Sequence, residues 1–459
     1  MLDLLRDAGA LLSRFTERWV PDSFVICMLL TLVAFALAVG AADVEAEAAV
    51  LAWGDGLWVL LRLAMQFTLA MIAAHACVSS RPVFGLLDRL ASLPNPERPA
   101  QAVLLVGVFA LVTSYINWAL SLVAGALFVP FVCRRNPQAD VRVLVAAAYL
   151  GLGTVWHGGL SGSAPLILAT PGNPLIDPSS GAAVVSRLYP VNETLFLTWN
   201  LVYIGIVGAV GLAAVVALHP RRDRVLLSPE QVEAILPEPP AAPAHERTPA
   251  GRLDGLRVWV WLAALLLAYP LLHEVVQKGF GSSWNIDAYN TVFLASALLL
   301  HGRARPFLAA CREGTGAAWG IVLQFPFYAG IFGLMQNTGL GEWVGALFAE
   351  FSTQRTYPFV VWFYSGVMNL FVPSAGSKWL IEAPYLIPAG EAHGVSVVTT
   401  TLAYAYGDSA TNLIQPFFAI PLLAVARLRF GDVVGYTFLV SLVCSVVGIT
   451  AMWLIPPNL

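Results

Sequence analysis

Long apolar runs alternate with short polar connections along most of the chain. Many are near 20 residues, about the length that crosses ~30 Å of hydrocarbon as an α-helix. Runs near residues 22–41, 53–78, 143–169, 194–217, 257–276, 288–301, 314–336, 395–426 and 433–455 predict about nine full spans. The pattern is that of an all-α integral membrane protein. Residues 1–20 differ, because Leu4, Leu5, Leu11, Leu12 and Phe15 share one helical face while Arg6, Arg14 and Arg18 interrupt them. They predict an interfacial amphipathic helix rather than a cleavable signal.

Arginine placement orients the spans. Arg14 and Arg18 precede the first span and set the N-terminus in the cytoplasm. Arg81, Arg89, Arg98, Arg134, Arg135, Arg142, Arg221, Arg222, Arg224, Arg303, Arg305, Arg427 and Arg429 then fall on the same side. Residues 100–133 have basic clusters at both ends, so a single crossing would misplace one cluster and two crossings need more residues than the segment offers. A re-entrant helical hairpin with its tip near Asn117–Ser121 resolves the conflict. Residues 357–390 predict a second hairpin, with its tip at VPSAGSK, 372–378. Irregular backbone at membrane depth is tolerated where it is buried in protein or lines a cavity.

Residues 218–255 read as a cytoplasmic linker, Pro- and Ala-rich at LPEPPAAPAHERTPAGR and therefore flexible. It separates a first unit, 21–217, from an extra span at 256–287 and a second unit, 288–459. The units repeat weakly. Asp55-Gly56 and Gln66-Phe67 match Glu313-Gly314 and Gln324-Phe325, Asn117 matches Asn369, and Ser161 and Pro165 match Asn412 and Pro416. By the arginine map the two copies have opposite orientation. Inverted repeats with broken helices near the midplane mark secondary transporters.

Composition supports the membrane reading: 58% of the 459 residues are hydrophobic and 12% charged, about half the charge of a soluble domain. A net charge of −3 and the lack of a basic stripe give no footprint for nucleic acid. Cys27, Cys77, Cys133, Cys311 and Cys444 are scattered and read as small core residues.

Four polar interruptions are expected to meet at the midplane: the tips at 117–125 and 372–378, and helix breaks at HGGLSGSAP, 157–165, and YGDSATN, 406–412. Gly158 and Gly159 permit unwound backbone. Ser121, Ser161, Ser163, Asn369, Ser374, Ser377 and Asn412 supply hydroxyls and amides. Half-helix N-termini attract carboxylates. Lys378 is one of two lysines and sits in an apolar hairpin, where a charge marks a functional candidate. Glu382, four residues on, offers an ion-pair partner. Asp408 could bind Na⁺, carry a proton or balance Lys378. A sodium site through Ser161, Ser374 and Asp408 is one expectation. His157 could relay protons, whereas His75 and His393 lie near span ends. Arg62 is expected to snorkel or to pair with an acid such as Asp55.

With these segments in place, the sequence resembles the short-chain fatty-acid transporter family over nearly its whole length. The resemblance lies in RFTERWVPDSF, WGDGLW, INWALSLVAGA, GLSGSAPLILATPGNP, LQFPFYAGI, VPSAGSKWLIEAPYLIPA and YGDSATNLIQPFFAIP, in matching order. It implies uptake of short-chain monocarboxylates such as butyrate or acetoacetate across the bacterial inner membrane, coupled to Na⁺ or H⁺ and needing no other cofactor. Within a wider group of ion and carboxylate transporters it implies an elevator-type movement and, by analogy, a homodimer. The resemblance places Asn117 and Ser121 at the first tip and Ser161 and Ser163 at the first break. It places Ser374, Gly376 and Ser377 at the second tip and Asn412 at the second break. Ser377-Lys378 and Asp408 depart from the family pattern and leave the coupling ion open.

A competing reading is a rhomboid-like intramembrane serine protease. Gly159-Leu160-Ser161-Gly162 fits its GxSG pattern, and His393 could act as base. It leaves the repeat and both hairpins without a purpose.

Overall fold

The apolar runs form helices, and no strand occurs among the described residues. The structure is a computed structural model that describes residues 21, 23–176, 183–236, 248–372, 374–415, 419, 422–423 and 426–459. The amphipathic segment 1–20 therefore lies outside the described residues, as does the middle of the linker, 237–247.

The first unit contains α1 (Ser23–Gly40), α2 (Ala46–Gly56), α3 (Leu61–Val78) and α4 (Arg81–Ala91). It continues with α5 (Pro99–Ile116), α6 (Trp118–Arg135), α7 (Val141–Tyr149), α8 (Ser163–Ala169) and α9 (Thr198–Ala217). After α10 (Val258–Lys278) and α11 (Ile286–His301) come α12 (Ala304–Asn337), α13 (Leu340–Glu350), α14 (Tyr357–Phe371), α15 (Ala375–Ala392), α16 (Val397–Asn412) and α17 (Phe430–Leu454). Eight helical segments are long and apolar enough to cross a membrane among the described residues.

The eight include both arms of the first hairpin, α5 and α6, at 18 residues each. Each arm is ~27 Å long, and together they run from Pro99 to Arg135. The turn between the arms consumes a single residue. Asn117 takes an extended backbone (φ −159°, ψ 119°), and its side chain accepts from the Leu120 N–H at 2.9 Å. The freed N–H groups of α6 are thereby capped without an irregular loop.

The two predicted helix breaks differ from expectation. The first is wider than 157–165: α7 gives way to 3₁₀ turns at Leu150–Gly153 and Trp156–Gly158 before α8 begins at Ser163. The second is displaced. Tyr406–Asn412 is continuous helix within α16, which ends at Asn412. Gly407 there serves close packing, since an added Cβ would strike the Trp362 carbonyl of α14.

Residues 141–169 form the centre of the molecule, with 94% of an 18-residue apolar window buried, whereas 11% of the corresponding window of α10 is buried and that helix lies at the periphery. Helix α12 packs along α3 and α2, and α14 along α16. The linker is structured at both ends of its undescribed middle. Ser228 and Gln231 form a capping box on Pro229–Ile235, and a second short helix covers Pro249–Asp254. The preceding strand of backbone is tied under α7, where the buried Asp140 carboxylate accepts from Val225 N–H (2.8 Å), Arg142 N–H (3.0 Å) and the Arg142 guanidinium (2.6 Å).

Candidate functional site

Two polar clusters form at the ends of the broken elements, one from each unit. In the first, the tip before α6 is sealed by protein. The Trp118 N–H donates to Ser161 Oγ (3.0 Å), and the Leu160 N–H donates to the Tyr115 carbonyl (2.7 Å). Gly159 lies so close to the Tyr115 backbone that a Cβ would stand 2.5 Å from its oxygen. Ser121 accepts from Ser114 Oγ at 2.7 Å, and the Gly158 carbonyl accepts from Asn200 Nδ2 at 2.8 Å. Ser163 is buried at the start of α8.

The second cluster carries the charge. Lys378 Nζ lies 2.7 Å from Asp408 Oδ1, and both side chains are 1% exposed. The ammonium also donates to the Ser365 carbonyl (2.8 Å) and Ser365 Oγ (3.2 Å), and sits 4.9 Å from the centre of the Tyr404 ring. This satisfies a cation that would otherwise be costly to bury. The expected Lys378–Glu382 pairing is replaced by Lys378–Asp408. The rotamer that reaches α14 and α16 finds two oxygens and a carboxylate there, while Glu382 lies one turn along α15.

His157 joins the clusters. Its Nδ1 lies 3.1 Å from Asp408 Oδ2, and its Nε2 accepts from the Ala164 N–H at 3.2 Å. Because Nε2 is an acceptor, the ring proton sits on Nδ1 and is donated to Asp408. Asp408 thus binds α15 and the first unit at once. Asn369 Nδ2 donates to the Asp408 carbonyl (3.0 Å) and to Asn412 Oδ1 (2.7 Å), and Asn412 Nδ2 donates to the Leu152 carbonyl (2.9 Å). Tyr406 OH donates to Asn200 Oδ1 at 2.9 Å, a further tie between the units.

The tip before α15 contrasts with the first. Ser374 occupies the N-cap position, but its side chain does not cap the first turn of α15. Its hydroxyl accepts instead from Ser377 Oγ at 2.6 Å. Gly376 packs face-on to α3, with an added Cβ only 2.8 Å from the Phe67 ring. Of the three oxygens expected to share sodium, Ser161 Oγ accepts from the Trp118 N–H, Ser374 Oγ accepts from Ser377, and Asp408 contacts Lys378 and His157. No metal-binding cluster of His, Cys, Asp and Glu occurs among the described residues.

Other expectations resolve locally. Arg62 pairs with Asp287 (3.3 Å) rather than Asp55, because α3 packs against α11. His393 Nε2 lies 3.0 Å from the Ala349 carbonyl, and His75 lies 3.8 Å from Glu313. The protease reading has no support: Ser161 Oγ accepts from the Trp118 N–H, and Nε2 of His393, the base that reading names, lies against the Ala349 carbonyl. Sequence reasoning missed Ser365 and Tyr404, ordinary span residues that give no signal. It undervalued Glu382, an acid in the same apolar arm as Lys378.

Comparison with known proteins adds to this geometry. The family model described as short chain fatty acid transporter matches residues 4–455. A provisionally named short-chain fatty acid transporter of Escherichia coli is 36% identical over 455 residues, 96% of this chain and 98% of that protein. A similarly named protein of Haemophilus influenzae is 32% identical over 93% of this chain and 94% of its own length. The solved structure of Neisseria gonorrhoeae MtrF, from a class described as antimetabolite efflux pumps, superposes with a TM-score of 0.58. It covers 96% of each chain at 14% identity, a likeness of fold alone. The match to the family model over nearly the whole length, with two relatives above 30% identity, places this multi-pass membrane protein in the short-chain fatty acid transporter family.

Proposed function

We propose that this protein is a cation-coupled secondary transporter of short-chain monocarboxylates, such as butyrate or acetoacetate, in the bacterial inner membrane, with its N-terminus cytoplasmic. The observation that carries the site is the start of α15, not capped by the Ser374 side chain, with Lys378 in the turn that follows. The dipole at a helix N-terminus favours a carboxylate there, and the Lys378–Asp408 pair lies in the following turn. The first tip, capped by Asn117 and Ser161, is a structural counterpart rather than a second seat.

An elevator-type movement fits the arrangement. In this reading α2, α3 and α12 form a scaffold, and the hairpins with α7, α8 and α16 form the moving body. Helix register supports an inverted repeat behind it. The starts of α4 and α13, α5 and α14, α6 and α15, and α7 and α16 are separated by 259, 258, 257 and 256 positions, from 81 to 340, 99 to 357, 118 to 375 and 141 to 397. In this register Asn117 corresponds to Ser374, both N-caps, rather than to Asn369. A homodimer built on the scaffold belongs to the same reading.

The test is uptake of labelled butyrate and acetoacetate into proteoliposomes under separately imposed Na⁺ and H⁺ gradients. Accumulation above the equilibrium level is expected with one of them. Absence of uptake for every short monocarboxylate tried would refute the substrate class.

A further inference from the structure

One buried acid has no role in the substrate seat. Glu382 is 1% exposed, and neither of its carboxylate oxygens meets a hydrogen-bond donor among the described residues. It lines a cavity of about 270 Å³ between α1, α12, α13, α14 and α15. Helices α1, α12 and α13 contribute only apolar side chains to the wall. Val33 on the rim is 54% exposed, so the cavity reaches the surface of the chain.

The titratable groups around it are few. Lys378 and Tyr385 face the cavity from α15 and Tyr364 from α14, the two tyrosine hydroxyls bonded to each other at 2.7 Å. Asp408 and Tyr404 of α16 lie on the far side of Lys378, and His157 lies beyond Asp408. Among the described residues Lys378 supplies the one positive charge here, and Asp408 already takes it at 2.7 Å. His157 is spoken for at both nitrogens. An ionised Glu382 would be a second buried carboxylate with no counter-charge, and such a group relieves its desolvation by taking up a proton.

We propose that Glu382 is the proton-binding site that couples transport, with H⁺ as the coupling ion. An incoming proton forms an O–H bond on one Glu382 oxygen. In that state Lys378–Asp408 is a neutral pair and Glu382 is neutral, so the body that crosses the membrane carries no unbalanced charge in this cluster. When the proton leaves, the Glu382 carboxylate, one helical turn from Lys378, competes with Asp408 for the ammonium. That competition loosens the bridge between α15 and α16. Loss of the proton is thereby tied to rearrangement of the element that holds the substrate. This coupling role rests on the transport reading, but the protonation itself does not.

Wild type and Glu382→Gln are compared in two measurements. In proteoliposomes, the variant is expected to keep exchange of internal for external butyrate, because glutamine mimics the protonated acid. It is expected to lose accumulation driven by a pH gradient, down to the level of protein-free vesicles. Gradient-driven accumulation at the wild-type level would overturn the proposal. In infrared difference spectra of purified protein at pH 7, wild type is expected to show a protonated-carboxyl C=O band that the variant lacks. Identical spectra would also overturn it. If exchange is lost too, Glu382→Asp decides: restored gradient-driven uptake supports the site, and none argues against it. Wild-type protein that shows the band but moves no monocarboxylate would defeat the substrate reading and leave the proton site standing.

Discussion

Lys378 and Asp408 hold each other in a setting where neither is tolerable alone. Removing one partner of a buried pair costs about 3–5 kcal/mol, because the other is left uncompensated. Asp408→Asn and Lys378→Met are therefore each expected to lower the melting temperature in detergent substantially. The double variant should lose much less than the sum of the two. Strict additivity would mean that the two charges are not coupled. Lys378 was legible as a candidate from the sequence because a lysine in an apolar arm is costly. Its partner was not, because Glu382 at i+4 and Asp408 on another helix are equally plausible until the fold places them.

At the scale of elements, glycine sets how closely helices cross. Gly56 of α2 and Gly333 of α12 meet backbone to backbone; a Cβ on Gly56 would stand 2.5 Å from the Ala329 carbonyl, and one on Gly333 would strike the Ala52 carbonyl. Gly333→Ala is expected to destabilise by about 1–3 kcal/mol through overpacking, read as a lower melting temperature, while Gly316→Ala, with open space around it, should not. A second element-level tie is electrostatic. Asp88 on α4 accepts from Arg134 (2.7 Å) and Arg135 (2.8 Å) at the end of α6, and the Arg135 hydrogen bond is the leading cause that holds its carboxyl below the usual range. A depressed folded value means the tie stabilises above the unfolded carboxylate value near ~3.9 and is lost as pH falls below it. The tie is solvent-exposed, so water and salt screen it and its effect is small. The melting-temperature gap between wild type and Asp88→Asn should be present at pH 7 and close below pH ~4. A gap unchanged by pH would remove Asp88 ionisation as its cause.

At the scale of the whole molecule, the proposed elevator requires the tip before α15 to slide past α3. In a background without native cysteines, Phe67→Cys with Gly376→Cys places two thiols where Phe67 and Gly376 now touch. A short bifunctional thiol reagent is expected to stop butyrate transport, and reductive release to restore it. Unimpaired transport by the cross-linked protein would rule out relative movement at this contact. The sequence by itself determined the helical membrane class and the family, and it indicated that the segment before α8 is broken, because hydrophobic run length and long local motifs are properties of contiguous residues. It spread the first tip over Asn117–Ser121, whereas Asn117 alone makes the turn. It misplaced the second break, because Gly407 reads as a point of unwinding and only its neighbour Trp362 reveals a packing contact. The fold alone decided that Lys378 meets Asp408, that His157 of the first unit completes the cluster, and that Glu382 is left unpaired beside a cavity. These are contacts between residues far apart in the chain, or unmet needs of a buried group, and neither is written in local sequence.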